Sequence, residues 1–248
     1  IDSLQRTVAE HGQNPGWFSA LVTVETDIDQ MALGPGRLVS QSRSGARSTF
    51  TYERAQAGTP AFVIAGGRYS VLADSVRTAH GVVPVEVWHT PRHAEPAARL
   101  LRVASTSLEQ LVRDFGPYPH EALRVVEVSS LWRFGAYAMP GSIYLTETRG
   151  MLSDAREGSV DLLLRRIGHE VAHEWWGHAV NPLDVEGRLL LVETLARYAE
   201  QLLVTRAQGE AVVHDMLGFE EDRYFRSRWQ GEKSLLTMID DDGLFYGK

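Results

Sequence analysis

The sequence predicts an α+β chain, with an antiparallel β-rich first part followed by a part in which a mixed sheet and helices combine. Three observations predict it. Short apolar segments separated by Gly or Pro run from residue 17 to about residue 89. The texture changes at Thr90-Pro91-Arg92-His93, beyond which apolar residues recur three and four apart. The 248 residues, 44% hydrophobic and 23% charged, suffice for one large domain or two modest ones with real cores.

Trp17 to Glu25 alternates loosely and Gly34-Pro35-Gly36 marks a turn. Ser48 to Glu53, Ala61 to Ala65, Tyr69 to Ala73 and Val82 to His89 follow as strands at short spacing, which predicts a β-sandwich-like domain over residues 1–90. Residues 91–248 form the second expected domain. It opens with a helix over Pro96 to Phe115, whose inner face is Ala97, Leu100, Leu101, Ala104, Leu108 and Leu111 and which Gly116-Pro117-Tyr118-Pro119 ends. Leu123 to Val128 and Ser142 to Glu147 read as buried strands. Ser159 is placed to cap a long helix through Val160, Leu163, Leu164, Ile167 and Val171, with Asn181-Pro182 closing it. Leu189 to Ala207 reads as a second long helix.

The composition excludes several classes. With Lys plus Arg at 25 against Asp plus Glu at 32, the net charge is −7, and no basic patch interleaved with aromatics points to nucleic acid. No run of 18 or more apolar residues spans a membrane, so the segment is expected to be soluble. Cysteine is absent, which excludes disulfides and thiolate ligands. With Ile1 first and no signal peptide, the chain reads as a segment of a longer protein.

The chemistry concentrates in His169-Glu170-Val171-Ala172-His173 and the Glu174-Trp175-Trp176-Gly177-His178 that follows. On a helix, His169 and His173 project from one face one turn apart, so both imidazoles reach a single zinc ion. Glu170 is offset around the helix, too far to bind the metal well but close enough to take a proton from water activated there. That is the zincin arrangement.

A catalytic zinc needs a third protein ligand. His178 lies five residues beyond His173, out of register with the metzincin pattern, which wants Gly three and His six residues beyond the second His. Glu186, in the connector, is a weaker candidate. Glu193 is the better one: it lies 20 residues past His173 on the next helix, among Leu190, Leu191, Val192, Leu195 and Ala196, where a carboxylate is costly unless paired or metal-bound. Glu200, two turns on, is placed either to orient a ligating histidine from behind or to face solvent.

These residues resemble the aminopeptidase N type of gluzincin metallopeptidase. His169-Glu170-x-x-His173, Trp175-Trp176-Gly177 and Glu193-Thr194-Leu195-Ala196-Arg197-Tyr198 look like its core, and Phe115-Gly116-Pro117-Tyr118-Pro119 is similar to its Phe-Gly-x-Tyr-Pro. The resemblance implies a thermolysin-like catalytic domain behind a β-domain and one Zn²⁺ held by His169, His173 and Glu193. Peptide hydrolysis would use Glu170 as base. Tyr246, in Tyr246-Gly247-Lys248, matches the tyrosine that steadies the oxyanion. Peptide is the implied partner. Ala138 to Tyr144 would line the cleft, with Ala138, Met139, Gly141 and Ser142 against the substrate and backbone bonds from Ser142 to Tyr144.

Two departures from the pattern matter. Nineteen residues separate His173 from Glu193, where the family has 18, and this variant resembles peptidase-like domains fused to ABC-transporter permeases, which implies membrane tethering through flanking segments. The family's Gly-Ala-Met-Glu-Asn, whose Glu grips the substrate amine, stands here as Tyr137-Ala138-Met139-Pro140-Gly141, with Glu147 the nearest replacement acid. The alternative is therefore a catalytically silent module of a membrane transporter that binds zinc or a partner.

Overall fold

The structure, a computed structural model, describes residues 18–58, 62–132, 134–153, 159–181 and 190–227. It is α+β, with a three-stranded and a two-stranded antiparallel sheet, one mixed sheet and helices. Strands β1 (Phe18–Asp27), β3 (Arg37–Ser44) and β4 (Arg47–Gly58) form a three-stranded antiparallel sheet in the order β1-β4-β3. The short β2 (Met31–Leu33) and β5 (Ala65–Gly67) pair with each other beside it.

The second sheet joins β6 (Ser70–Thr78), β7 (Gly81–His89), β8 (Leu123–Val128), β9 (Ala136–Met139) and β10 (Ser142–Thr146) in the order β6-β7-β8-β10-β9. β7–β8 and β8–β10 run parallel, whereas the hairpins β6–β7 and β9–β10 are antiparallel. The mixed sheet therefore takes strands from both sides of the expected division at residue 90. Helix α1 (Ala94–Phe115) supplies the crossover that a parallel β7–β8 pair requires.

Alternation along the central strands sends side chains to two cores. Val85, Val87, Leu123, Val125, Ile143 and Leu145 face the helices, where they pack with Leu100, Leu108 and Leu111 of α1 and with Leu163, Ile167 and Val171 of α2 (Leu162–Ala172). Trp88, Val126 and Tyr144 point the other way, onto Phe50 and Tyr52 of β4 and onto Ala32, Leu33 and Ala65. Covered on both faces, β8 and β10 are buried almost throughout, including the polar Arg124, Glu127, Ser142 and Thr146.

α2 differs from expectation at both ends. Its cap is Asp161, whose carboxylate accepts from Leu163 N and Leu164 N, rather than Ser159. It stops at Ala172, and the residues beyond His173 turn back so that Trp176 bridges Val180. The second long helix is also divided. Leu190–Thr194 is one π-helical turn that leads into α3 (Leu195–Gln208), and α4 (Glu210–Ser227) follows. Gly168 lets α3 approach α2, since a Cβ there would meet Leu203 Cδ1 at 2.6 Å.

Candidate metal centre

His169 lies in the last turn of α2 and His173 is its C-terminal cap, still in the helical region at φ −61° and ψ −19°. The four-residue spacing therefore keeps its geometry although the helix ends there, and the two Nε2 atoms are 3.1 Å apart. Glu193, carried by the π-helical turn, places Oε2 3.3 Å from His169 Nε2 and 3.7 Å from His173 Nε2. Two ligand atoms at ordinary zinc distances in a tetrahedral site are separated by about 3.3 Å. The three donors fit that figure without rearrangement.

The remaining ring nitrogens bear on which atom could face an ion. His173 Nδ1 donates to Trp176 O at 3.0 Å, so its Nε2 keeps a lone pair for a metal. His169 Nδ1 is 3.3 Å from Glu200 Oε2, close enough to pair electrostatically but out of line for a hydrogen bond. Glu200 is 1% exposed and is held by Arg165, with Nε at 2.5 Å, and by Arg197, with Nη1 at 3.0 Å. Burial works to raise its pKa, but His169 and the two arginines outweigh it and hold the carboxyl at about 2.

The acids concentrate negative charge around the histidine pair. Burial works against a charged His169, yet the carboxylates of Glu193, Glu200 and Glu170 raise it to about 9. Burial and the adjacent positive His169 both lower His173. The same excess of negative charge would draw a divalent cation to the three donors. Glu170 is 8% exposed and its carboxyl is raised to about 7, first by burial and next by Glu193, against the pull of His169, the Ala138 N–H and Arg166.

The cleft over this group is lined by Ala136 to Ala138 of β9, by Arg166, His169, Glu170 and His173, and by Val192, Glu193 and Arg197. Ala138 is the only expected substrate residue that reaches it. Met139 packs against the core between the two sheets, Gly141 gives its N–H to Glu174 at 2.9 Å, and Glu147 lies 3.7 Å from His93 Nε2. Ser142 to Tyr144 have no free backbone, because β10 is paired with β8 on one side and β9 on the other. The open edge belongs to β9. With Thr146 N bonded to Gly135 O at 3.0 Å, the register turns the N–H and C=O of Ala136 and Ala138 outward.

His178 is not on α2 but in the turn after it, and its ring faces Glu174 rather than the His169–His173–Glu193 group. Glu186 and Tyr246 lie outside the described residues. Sequence reasoning missed Arg165, Arg197 and Arg166. The Arg197–Glu200 pair had a readable signal in its i,i+3 spacing. Arg166 had none. It is partly buried against Gly135, burial lowers its pKa, and it forms no ion pair among the described residues.

No protein-family model matches the chain, and no curated protein matches it. Solved structures do. One is a two-domain M1 zinc metallopeptidase, a mutant bound to L-arginine, with a TM-score of 0.64. Two others are the M1 zinc metallopeptidase from Deinococcus radiodurans and a mutant of it, each with a TM-score of 0.60. In all three the identity is 22%, over 93% of this chain and 50% of the other. The likeness shows the fold. The chain spans about half the length of these structures.

Proposed function

We propose that the chain carries the catalytic centre of a zinc-dependent peptidase of the gluzincin, thermolysin-like kind. One observation carries the reading: His169 Nε2, His173 Nε2 and Glu193 Oε2 converge at zinc-ligand spacing, with the buried Glu170 beside them. Zinc, when bound by these three residues, supplies a Lewis acid that polarises a carbonyl and acidifies water to a pKa of about 7.

The chain's own residues do the rest. Glu170 accepts the proton of the water whose oxygen attacks the scissile carbonyl carbon, then returns it to the amine nitrogen as the C–N bond breaks. Burial keeps this carboxylate basic, and the charge of a bound zinc would draw its pKa back down. A peptide adds as a strand to the free edge of β9, where Ala136 offers its N–H and C=O and Ala138 its C=O. Tyr246 is proposed as the oxyanion donor on the resemblance alone.

The described cleft has no spare carboxylate for a substrate amine. Its acids are Glu170, Glu193 and Glu200, each already engaged, and Pro140 occupies the two-residue turn between β9 and β10. We therefore expect amino-blocked peptides to be cleaved at least as well as free ones. The transporter expectation gains nothing from the solved structures, which are peptidases, and no helix among the described residues is long and apolar enough to cross a membrane.

The test is zinc content together with hydrolysis of aminoacyl and internally quenched peptides by the chain and its Glu170→Gln variant. One zinc at this centre, with turnover that falls about 100-fold or more in the variant, is expected. Zinc bound at the centre without any Glu170-dependent turnover would replace the enzyme by a silent zinc-binding module.

A further inference from the structure

The residue after the histidine pair is buried more deeply than the pair itself. Glu174 is 0% exposed. It lies between His120, on the connection from α1 to β8, and His178, in the turn beyond α2. Its Oε2 accepts from Gly141 N at 2.9 Å and lies 3.3 Å from His178 Nδ1 and 2.8 Å from His120 Nε2. The two rings meet edge-on, with centroids 6.2 Å apart.

The short contact between His120 and Glu174 is not a hydrogen bond. Its length is right but its direction is wrong, so His120 Nε2 is buried without a hydrogen-bond partner. Glu174 Oε1 is likewise buried and unpartnered. A carboxylate so deeply placed needs either a proton or a cation near it. A proton held between His120 and Glu174 would align the ring nitrogen with the oxygen. Two ligands of one ion instead aim past each other at the ion. Each of the three residues offers one donor atom, and these atoms lie within 4.8 Å of one another.

We propose that His120, Glu174 and His178 form a second metal site, separate from the His169–His173–Glu193 group, for a divalent ion of the zinc class. Two imidazoles and a carboxylate suit zinc and its late first-row neighbours better than calcium or magnesium, which prefer all-oxygen shells. The His120 and His178 side chains are 22% and 14% exposed, which gives an ion a way in. Bound there, it would tie together three segments: the α1–β8 connection, the β9–β10 turn through Gly141 N–H, and the turn that follows His173. The site is independent of the peptidase reading.

Zinc per chain, measured after dialysis against a low concentration of free zinc, tests it. Two equivalents are expected for the wild type and one for each of His120→Gln, Glu174→Gln and His169→Gln. The pair His169→Gln with His120→Gln should bind none. In the His169→Gln variant, added zinc should still raise the melting temperature, and His120→Gln should abolish that rise. Glu174→Gln retains an acceptor for Gly141 N–H, so its circular dichroism separates loss of metal from loss of fold. A single equivalent in the wild type that His169→Gln removes and His120→Gln leaves in place overturns the proposal. So does a second equivalent that survives both His120→Gln and Glu174→Gln, which is adventitious zinc only.

Discussion

Glu170 shows how one burial can serve chemistry and weaken the fold. In the metal-free chain its carboxyl keeps a proton up to about pH 7, against an ordinary value of 4.5. The folded form therefore binds more protons than the unfolded form between these values, so the residue's contribution is fully present below 4.5 and lost as the pH rises through about 7. The loss amounts to about 3 kcal/mol. Metal-free Glu170→Gln should melt above the metal-free wild type at pH 8 and at a similar temperature at pH 5; parallel curves would show an ionised Glu170 throughout. Glu200 acts through His169. Glu200→Gln removes the charge facing His169 Nδ1 and leaves Arg165 and Arg197 without their carboxylate, so zinc affinity should fall about 10- to 100-fold in chelator competition. Unchanged affinity would reduce Glu200 to an anchor for the two arginines.

At the scale of elements, α2 is positioned by its cap. Asp161 accepts from Leu163 N and Leu164 N at 3.0 and 3.1 Å and also holds Arg99 Nη2 at 2.7 Å, tying the start of α2 to α1. Asp161→Ala should cost about 1 to 2 kcal/mol in denaturant unfolding, whereas Ser159→Ala should cost almost nothing; the reverse order would restore Ser159 as the cap. The comparison also marks what the sequence could show. His169, Glu170 and His173 were legible because four-residue spacing is a local property that survives the early end of α2. Glu193 was legible because a carboxylate among leucines needs a reason. The π-helical turn under it was not, since nothing in Leu190–Thr194 distinguishes a five-residue turn from an α turn. The free backbone expected from Ser142 to Tyr144 fails for a similar reason: periodicity identifies strands but not their order, and the order β8-β10-β9 leaves β9 rather than β10 outermost.

At the scale of the molecule, β6 and β7 decide how the two parts cohere. Their sequence reads like the strands before them, because hairpin spacing is the same whichever sheet a hairpin joins. Yet β7 pairs with β8 from Val85↔Leu123 to Trp88↔Val126, and Trp88 itself packs against the core that includes Phe50 and Tyr52. Further ties cross the same face: Arg124 Nη1 donates to Gly36 O at 2.8 Å, Tyr144 OH to Val63 O at 3.0 Å and Tyr69 OH to Glu127 O at 3.0 Å. A cut at residue 90 would strip β8 of a paired strand and expose one face of β8 and β10, including the buried Val126 and Tyr144. The intact chain should therefore melt in one transition. Residues 1–90 and 91–248 made separately should each lack a cooperative melt, and mixing them should restore it. Two independent transitions, or a folded 91–248 piece that binds zinc alone, would show that the candidate metal centre does not depend on the N-terminal sheet.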